Sequence, residues 1–399
     1  MTTNTDSNRE TLWPAFGLGL GAAVGVGLAR FSYALLLPSM RTSLDWNYAL
    51  AGSLNTANAL GYVAGSISAY LLLRRLRPSY LFSLGLIVTS LSVLATGFQS
   101  QLLWLMANRF LTGISAAWVL ACGGALVAAR YHSHSALRRL ATGIFFAGAG
   151  IGIALSGLVV NPIIAEFGDH AWPTAWLALG FVAIIASIWP LLEARNIAGV
   201  ANSASVGALD LCGLGPSLFA YFLFACGYIV YMTFIFAWIQ IQGMSWQFGT
   251  VAWLVLGGGV ALSPFIWRQA LDSWNPAITL GASCFMTLLG TLLPAFSSTV
   301  PSVLISAWLF GLGMFIAPSS VAILVQKTMT SNHWAKGIAM FTTIFSFGQA
   351  IGPIGAGWIA DNNGLKISLF VGAALLAAAS GLALIGLQRI NVRLMPTST

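Results

Sequence analysis

The sequence predicts an all-α polytopic membrane protein, with twelve transmembrane helices in two six-helix pseudo-symmetric halves. Three observations carry this expectation. The 399-residue chain is 58% hydrophobic and 7% charged, against about 25% charged residues in ordinary soluble domains, and its mean hydropathy is +0.86. Twelve apolar stretches alternate with polar or basic breaks, each near the roughly 20 residues that a bilayer core of about 30 Å requires. Basic residues concentrate in alternate breaks, the pattern that orients a polytopic chain.

The polar N-terminus, "MTTNTDSNRETLWP", lacks the basic region, short apolar core and cleavage site of a signal peptide, and is expected to remain as a cytoplasmic tail. The first span, 13–36, closes at Pro38 and encloses Arg30. The second, 49–73, carries "SLNTANALGYVAG", in which Asn55, Asn58 and Tyr62 are three and four residues apart and share one helix face. It ends at the cluster Arg74, Arg75 and Arg77, after which spans 80–98 and 102–129 follow, the latter with Arg109. The fifth span, 139–164, holds a glycine-rich run, and 174–192 completes the first half. A small, polar stretch at 193–212 reads as a linker between bundles 1–192 and 213–399. The second half begins with 213–240, whose "CGYIVYMTFIFAWIQ" contributes Tyr228 and Tyr231. Spans 247–267, 276–296 and 301–326 follow, the first of them with "GGG" at 257–259. The last two are 335–360, with Gly348, Gln349, Gly352 and Pro353, and 367–388.

With the N-terminus inside, the cytoplasmic segments carry Arg9, Arg74, Arg75, Arg77, Arg130, Arg138, Arg139, Arg195, Arg268, Lys327, Lys336, Arg389 and Arg393, whereas the outer loops carry only Arg41 and Lys366. The positive-inside rule therefore places both termini in the cytoplasm, in a plasma membrane of the bacterial inner-membrane kind. The formal net charge of +8 is accounted for by these loops and gives no reason to expect nucleic acid. The cysteines Cys122, Cys212, Cys226 and Cys284 show no CxxC spacing, so neither a disulfide framework nor a metal site is indicated, and no cofactor is called for.

An internal repeat supports the two halves. At an offset of 200 residues, "WNY" from Trp46 meets "WQF" from Trp246, and "RFLTG" from Arg109 meets "LFGLG" from Leu309. "GAGIGIALSG" from Gly148 meets "GQAIGPIGAG" from Gly348, aligning Gly148 and Gly152 with Gly348 and Gly352. These glycines remove side-chain bulk so that helices approach closely, and Pro353 weakens the local backbone ladder. A nucleotide-binding reading of "GAGIG" fails for want of a preceding strand.

Several motifs resemble the major facilitator superfamily across essentially the whole chain. "NRFLTGISAA" resembles the Arg-xxx-Gly pattern of its fourth span, through Arg109 and Gly113, and the glycine runs of spans five and eleven resemble those of antiporter members. "GLARFSYALLLPSM" followed by "ANALGYVAG" resembles the YbfB-type branch. The usual Gly-x-x-x-Asp-Arg loop after span two is incomplete: Ala69 stands where its aspartate would be, four residues after Gly65. The resemblance implies the twelve-helix fold, transport, and a central cavity lined in the first half by spans one and four.

Charge at membrane depth marks a functional site by default. None of the nine acidic residues falls deep in a span, and His132, His134, His170 and His333 fall in loops. Arg30 and Arg109 are the deep charges. Arg30 lies eight residues before Pro38 and Arg109 seven after Leu102, so each sits roughly 10 Å inside the outer end of its helix. An anionic small molecule is the simplest missing partner, held by charge-assisted hydrogen bonds; the other reading is that each arginine snorkels to the outer interface or bonds backbone carbonyls and polar side chains such as Asn55, Asn58 or Asn108. Tyr33, Asn55, Asn58 and Tyr62 from the first half, and Tyr228, Tyr231 and Gln349 from the second, complete the candidate substrate site. The repeat replaces Arg30 by Val230 and Arg109 by Leu309, so the second half offers aromatic and neutral groups.

The expected function is secondary transport of a small organic or inorganic anion by alternating access, by a monomer and with or without a coupling ion. The alternative is a polyspecific exporter of lipophilic compounds, favoured by 15 Trp, 24 Phe and 10 Met. A transporter-shaped receptor would need a soluble domain or signalling tail, and an enzyme would need a buried Ser-His, paired-Asp or metal-ligand set; the sequence shows none of these.

Overall fold

The computed structural model describes residues 11–197, 213–330 and 333–394. Most of the expected N-terminal tail and linker, 1–10 and 198–212, lies outside the described residues. The first span is α1 (Trp13–Ala22), a π-helical segment (Ala23–Phe31) and α2 (Tyr33–Ser43). The rest of the first half is α3 (Tyr48–Leu72), α4 (Pro78–Thr96), α5 (Leu102–Arg130), α6 (Ser135–Phe167) and α7 (Trp172–Arg195). The second half has α8 (Gly215–Ile241), α9 (Trp246–Ile266), a short α10 (Arg268–Ser273), α11 (Pro276–Phe296), α12 (Val300–Met314), α13 (Ile316–Thr328), α14 (Trp334–Asn363) and α15 (Leu365–Leu394). There is no strand among the described residues. Among the described residues eleven helical runs are long and apolar enough to cross a membrane; α3, which completes the set of twelve, carries the polar stripe.

Local chemistry explains many of the helix starts. Proline stands in the first two positions of α1, α4, α7, α8, α11 and α12, where its missing N–H costs no helical bond. Asn47, Ser245 and Asn275 cap α3, α9 and α11 by accepting from Leu50 N, Phe248 N and Ala277 N. Pro38 does not end the first span: the helix runs on to Ser43, because a membrane helix enclosed by its neighbours tolerates one lost bond.

The halves repeat one another's packing. In the first, α3 and α4 pack on α5, α4 on α7, and the first span on α6; in the second, α9 and α11 pack on α12, α11 on α15, and α8 on α14. The two main inter-half contacts, α3 with α14 and α6 with α9, exchange under the same pseudo-twofold. Spans one and seven are the most enclosed, while Leu103, Phe181, Phe296 and Trp358 are more than half exposed on the outside of the bundle, a surface suited to hydrocarbon.

Small residues set the inter-helix distances. A side-chain carbon on Gly148 or Gly152 would collide with the carbonyls of Gly19 and Ala23 in the first span, and one on Gly348 would sit 2.7 Å from the carbonyl of Phe222. Gly352 lies against Ile229 and Cys226. Between the halves, a carbon on Gly52 would sit 2.5 Å from the carbonyl of Pro353, and one on Gly257 2.6 Å from that of Gly150. These approaches leave no room for water and maximise dispersion contact where lipid supplies no hydrophobic drive.

The loop with Arg74, Arg75 and Arg77 and the start of α6 with Arg138 and Arg139 define an arginine-rich end, and the 44–47 and 242–245 loops define the opposite, sparsely charged end. At the latter, Asp361 of α14 accepts from the backbone N–H of Tyr48 and Ala49 at 2.8 and 2.9 Å, capping α3 of the other half. The cap combines charge-assisted bonds with the positive end of a helix. Tyr48 packs edge-on against Phe234 at 5.8 Å and under Arg41 at 4.5 Å. Asn161 donates to Thr250 at 2.8 Å, and Trp253 to Ser156 at 3.0 Å, closing the α6–α9 side. Replacing Asp361 by Ala removes two bonds to a charged acceptor and is expected to weaken the contact between α3 and α14 at this end by about 1.5–3 kcal/mol. Distances between spin labels on the exposed residues Ser43 and Gln242 are expected to broaden; an unchanged distribution shows that the cap does not hold the halves together here.

Candidate functional site

The site grows from an irregularity in the first span. Between Ala23 and Phe31 the helix widens to π geometry, and Ser32 N reaches back five residues to the carbonyl of Gly27 at 3.2 Å. Gly27 packs directly on the backbone of Gly152, so α6 presses on this segment. Ser32 Oγ donates to Leu28 O at 2.6 Å, while the carbonyls of Ala29 and Arg30 accept from another helix altogether. Single wide turns of this kind often mark functional positions.

That other donor is Arg109 of α5. One terminal nitrogen donates to Ala29 O at 2.6 Å; the other donates to Arg30 O and Asn55 Oδ1, both at 3.2 Å. Its guanidinium carbon lies 5.1 Å from the ring centre of Tyr33 and 5.8 Å from that of Trp176, within range of cation–π attraction. Tyr33 in turn donates to Ala51 O at 2.6 Å, and Asn58 donates to the carbonyl of Arg109 at 3.0 Å. Arg109 is 1% exposed. The structure therefore directs Arg109 at helix backbone, with Asn55 rather than Asn108 as its side-chain partner.

Arg30 points the other way, into the seam between the halves. Its guanidinium donates to Gln349 Oε1 of α14, and Gln349 Nε2 donates to the hydroxyl oxygen of Tyr228 on α8. The rings of Tyr62 and Phe31 lie 5.0 and 5.7 Å from the guanidinium carbon. A small cavity, with room for about one water molecule, is lined by Arg30, Phe31, Ala34, Asn55 and Asn58 from one half and Ile229, Met232 and Gln349 from the other. Asn55 Nδ2 donates across the seam to Thr233 at 2.9 Å, and Thr56 to Ala350 O at 2.6 Å.

Thus the two arginines expected to face one space are adjacent but divergent, and Arg30 alone lines the cavity. Tyr231 stands apart from this group: its hydroxyl pairs with Ser306 at 2.8 Å and its ring stacks on Phe310 at 4.0 Å. Thr343 and Ser346 bond their own helix at Ala339 O and Thr342 O. Thr233, Ile229 and Met232 join the seam although nothing in their sequence context singles them out. Asp361 is visible in the sequence as an acidic residue at a span edge, but its partner in the other half is not.

Twelve long helices in two repeated bundles, with one cation and neutral polar groups on the seam between them, define an integral membrane protein with a transporter fold. A family model described as "Uncharacterised MFS-type transporter YbfB" matches residues 22–384, and the chain belongs to this family of the major facilitator superfamily. It is 23% identical over 353 residues to the inner membrane transport protein YdhP of Escherichia coli (strain K12), covering 86% of this chain and 88% of that one. An uncharacterized MFS-type transporter of Methanocaldococcus jannaschii, MJ1560, is 22% identical over 291 residues, 69% of this chain and 72% of that one. Among solved structures, a point mutant of the nucleoside transporter NupG has a TM-score of 0.70 at 12% identity, covering 94% of this chain and 99% of that one. A bacterial homologue of the human lysosomal transporter Spinster, inward-facing and occupied, has a TM-score of 0.71 at 16% identity over 96% and 98%. These likenesses show the fold. The chain is an MFS-type membrane transporter.

The different surroundings of the two arginines have different consequences for stability. Arg109→Gln leaves buried carbonyls on the first span without donors, at about 1–3 kcal/mol each, and is expected to lower the melting temperature of the purified protein clearly. Arg30→Gln removes a buried charge whose partner is neutral, and is expected to leave the ligand-free melting temperature level or higher. Equal destabilisation by both, in a detergent melt followed by fluorescence, refutes the division of roles.

Proposed function

We propose that this transporter moves a small organic or inorganic anion by alternating access, with Arg30 as its anchor. The observation that carries the reading is the Arg30 guanidinium, buried on the seam with a neutral amide as its hydrogen-bond partner. A permanent cation in a desolvated site is costly without an opposing charge. An arriving anion displaces the Gln349 oxygen and exchanges a neutral bond for a charge-assisted one. Arg109, Tyr33 and Asn58 hold the first span in the shape that aims Arg30, while Asn55, Tyr62, Tyr228 and Gln349 surround the ligand. Tyr231 supports the wall behind α8.

The moving bodies are 1–192 and 213–399, joined through 193–212, and rocking about the seam opens each end in turn. By the positive-inside rule the arginine-rich end is cytoplasmic, with both termini inside a bacterial inner membrane. The Asp361 cap and the Asn161–Thr250 bond then close the outer side in this conformation. Gly148 and Gly152 keep α6 tight against the first span, and Gly348 and Gly352 keep α14 tight against α8, so each bundle moves as a unit, while Pro353 meets Gly52 of α3 across the seam. With no carboxylate deep in a span, coupling by anion exchange, by a proton carried on the substrate, or by gradient alone fits better than a side-chain proton relay.

A second reading, export of lipophilic compounds, draws on the stacked rings of α8 and α14. Thermal melts of the purified protein with small carboxylates, inorganic oxyanions, nucleosides, organic cations and drugs separate the two. An anion at about 100 times its Kd is expected to stabilise the native state by about 2.7 kcal/mol, and Arg30→Gln to abolish the effect. Stabilisation by cations or lipophilic compounds alone, undiminished in Arg30→Gln, overturns the anion reading.

A further inference from the structure

We propose that the transported anion is a monocarboxylate with a flat, largely apolar body. This rests on the anion reading above and narrows it by two independent features of the seam: how many charges it can satisfy, and what surrounds the one it has.

The charge count is one. Arg109 lies near Arg30 in the chain fold, but both its terminal nitrogens already donate to Ala29 O, Arg30 O and Asn55 Oδ1, and it does not line the cavity. Apart from Arg30, the cavity presents only apolar side chains and the neutral amides of Asn55, Asn58 and Gln349. A second negative charge on the ligand would be desolvated with no cation to meet it. The atom now bonded to Arg30 is itself an sp² oxygen, Gln349 Oε1. A carboxylate reproduces that acceptor and adds a second in the same plane, matching the guanidinium fork. Gln349 keeps its own amide on Tyr228 and stays available as a neutral donor beside the anion.

The shape follows from the rings. Tyr62 lies 5.0 Å from the guanidinium on the first-half side. On the second-half side, Tyr228 stacks nearly parallel on Phe224 (5.2 Å, 9°) and on Phe345 (5.6 Å, 14°), and Phe345 on Tyr221 (4.7 Å, 20°). This ladder starts at the Gln349 partner and continues along α8 toward the arginine-rich end, the side away from the Asp361 cap. None of these rings lines the cavity in this conformation; a planar body with its carboxylate on Arg30 reaches Tyr228 and the half-buried Phe345 as the seam opens, and there gains offset stacking as well as burial.

Melts and isothermal titration with six defined probes test this: benzoate, benzamide, acetate, phthalate, succinate and phosphate. Benzoate is expected to raise the melting temperature of the wild type. Acetate should need at least tenfold higher concentration, and benzamide, phthalate, succinate and phosphate should have little effect. Arg30→Gln should abolish the benzoate response; Arg30→Lys, which keeps the charge but loses the fork, should weaken it about tenfold. Phe345→Leu should narrow the gap between benzoate and acetate while leaving acetate unchanged. Arg30-dependent stabilisation by phthalate, succinate or phosphate equal to that by benzoate overturns the monocarboxylate assignment and leaves the anion reading standing. Equal potency of acetate and benzoate removes the flat body. No Arg30-dependent response to any anion overturns both readings.

Discussion

The bonds from Arg109 to the carbonyls of Ala29 and Arg30 are the constraint on which the rest of the arrangement depends. A π-helical stretch is less favourable than α-helix and persists where the surroundings over-determine it. Here Gly27, pressed against Gly152, lets α6 approach from one side, and a guanidinium supplies donors from the other. The wide turn changes the angular register of everything after it. Arg30, within the wide segment, faces the seam, and Tyr33, just beyond it, lies beneath Arg109 and does not line the cavity.

The second consequence is electrostatic. Arg109 has carbonyl dipoles, an amide oxygen and two ring faces around it, which together offset a buried charge without a carboxylate. Arg30 has one amide oxygen and ring faces, a thinner shell on the seam between the halves. Arg109 is enclosed and bonded through both terminal nitrogens, with only its Nε lacking a partner, whereas Arg30 lies on the seam between the halves and lines its cavity. The two arginines thus differ through their surroundings and not through their chemistry.

Closure of the sparsely charged end depends on equally specific contacts. Gly52 and Gly257 bring helices of opposite halves to backbone contact, and only at that distance can Asp361 reach two N–H groups of α3. The link is exposed at the helix end, so water can reach both partners. A deeply buried pair would be harder to break.

Much of the architecture was legible because a bilayer imposes its own period: spans of about 20 apolar residues and basic loops are readable without knowledge of packing. The boundaries of α5 and α11 follow the apolar runs closely, and the glycine runs of α6 and α14 lie where helices meet. Arg30 stood out as a charge without a partner. What the sequence by itself determined was therefore the number of spans, the repeat, and which residues are costly at depth. It did not disclose the wide turn before Ser32, the helix running past Pro38, or the division of labour between Arg30 and Arg109. Nor did it show that Gln349, 319 positions from Arg30, meets it, or that Asp361 caps a helix of the other half. Those were decided by tertiary structure alone, because a hydrogen bond is set by ångström-scale placement of donor and acceptor, and in lipid each polar group takes whichever partner the packing brings within reach.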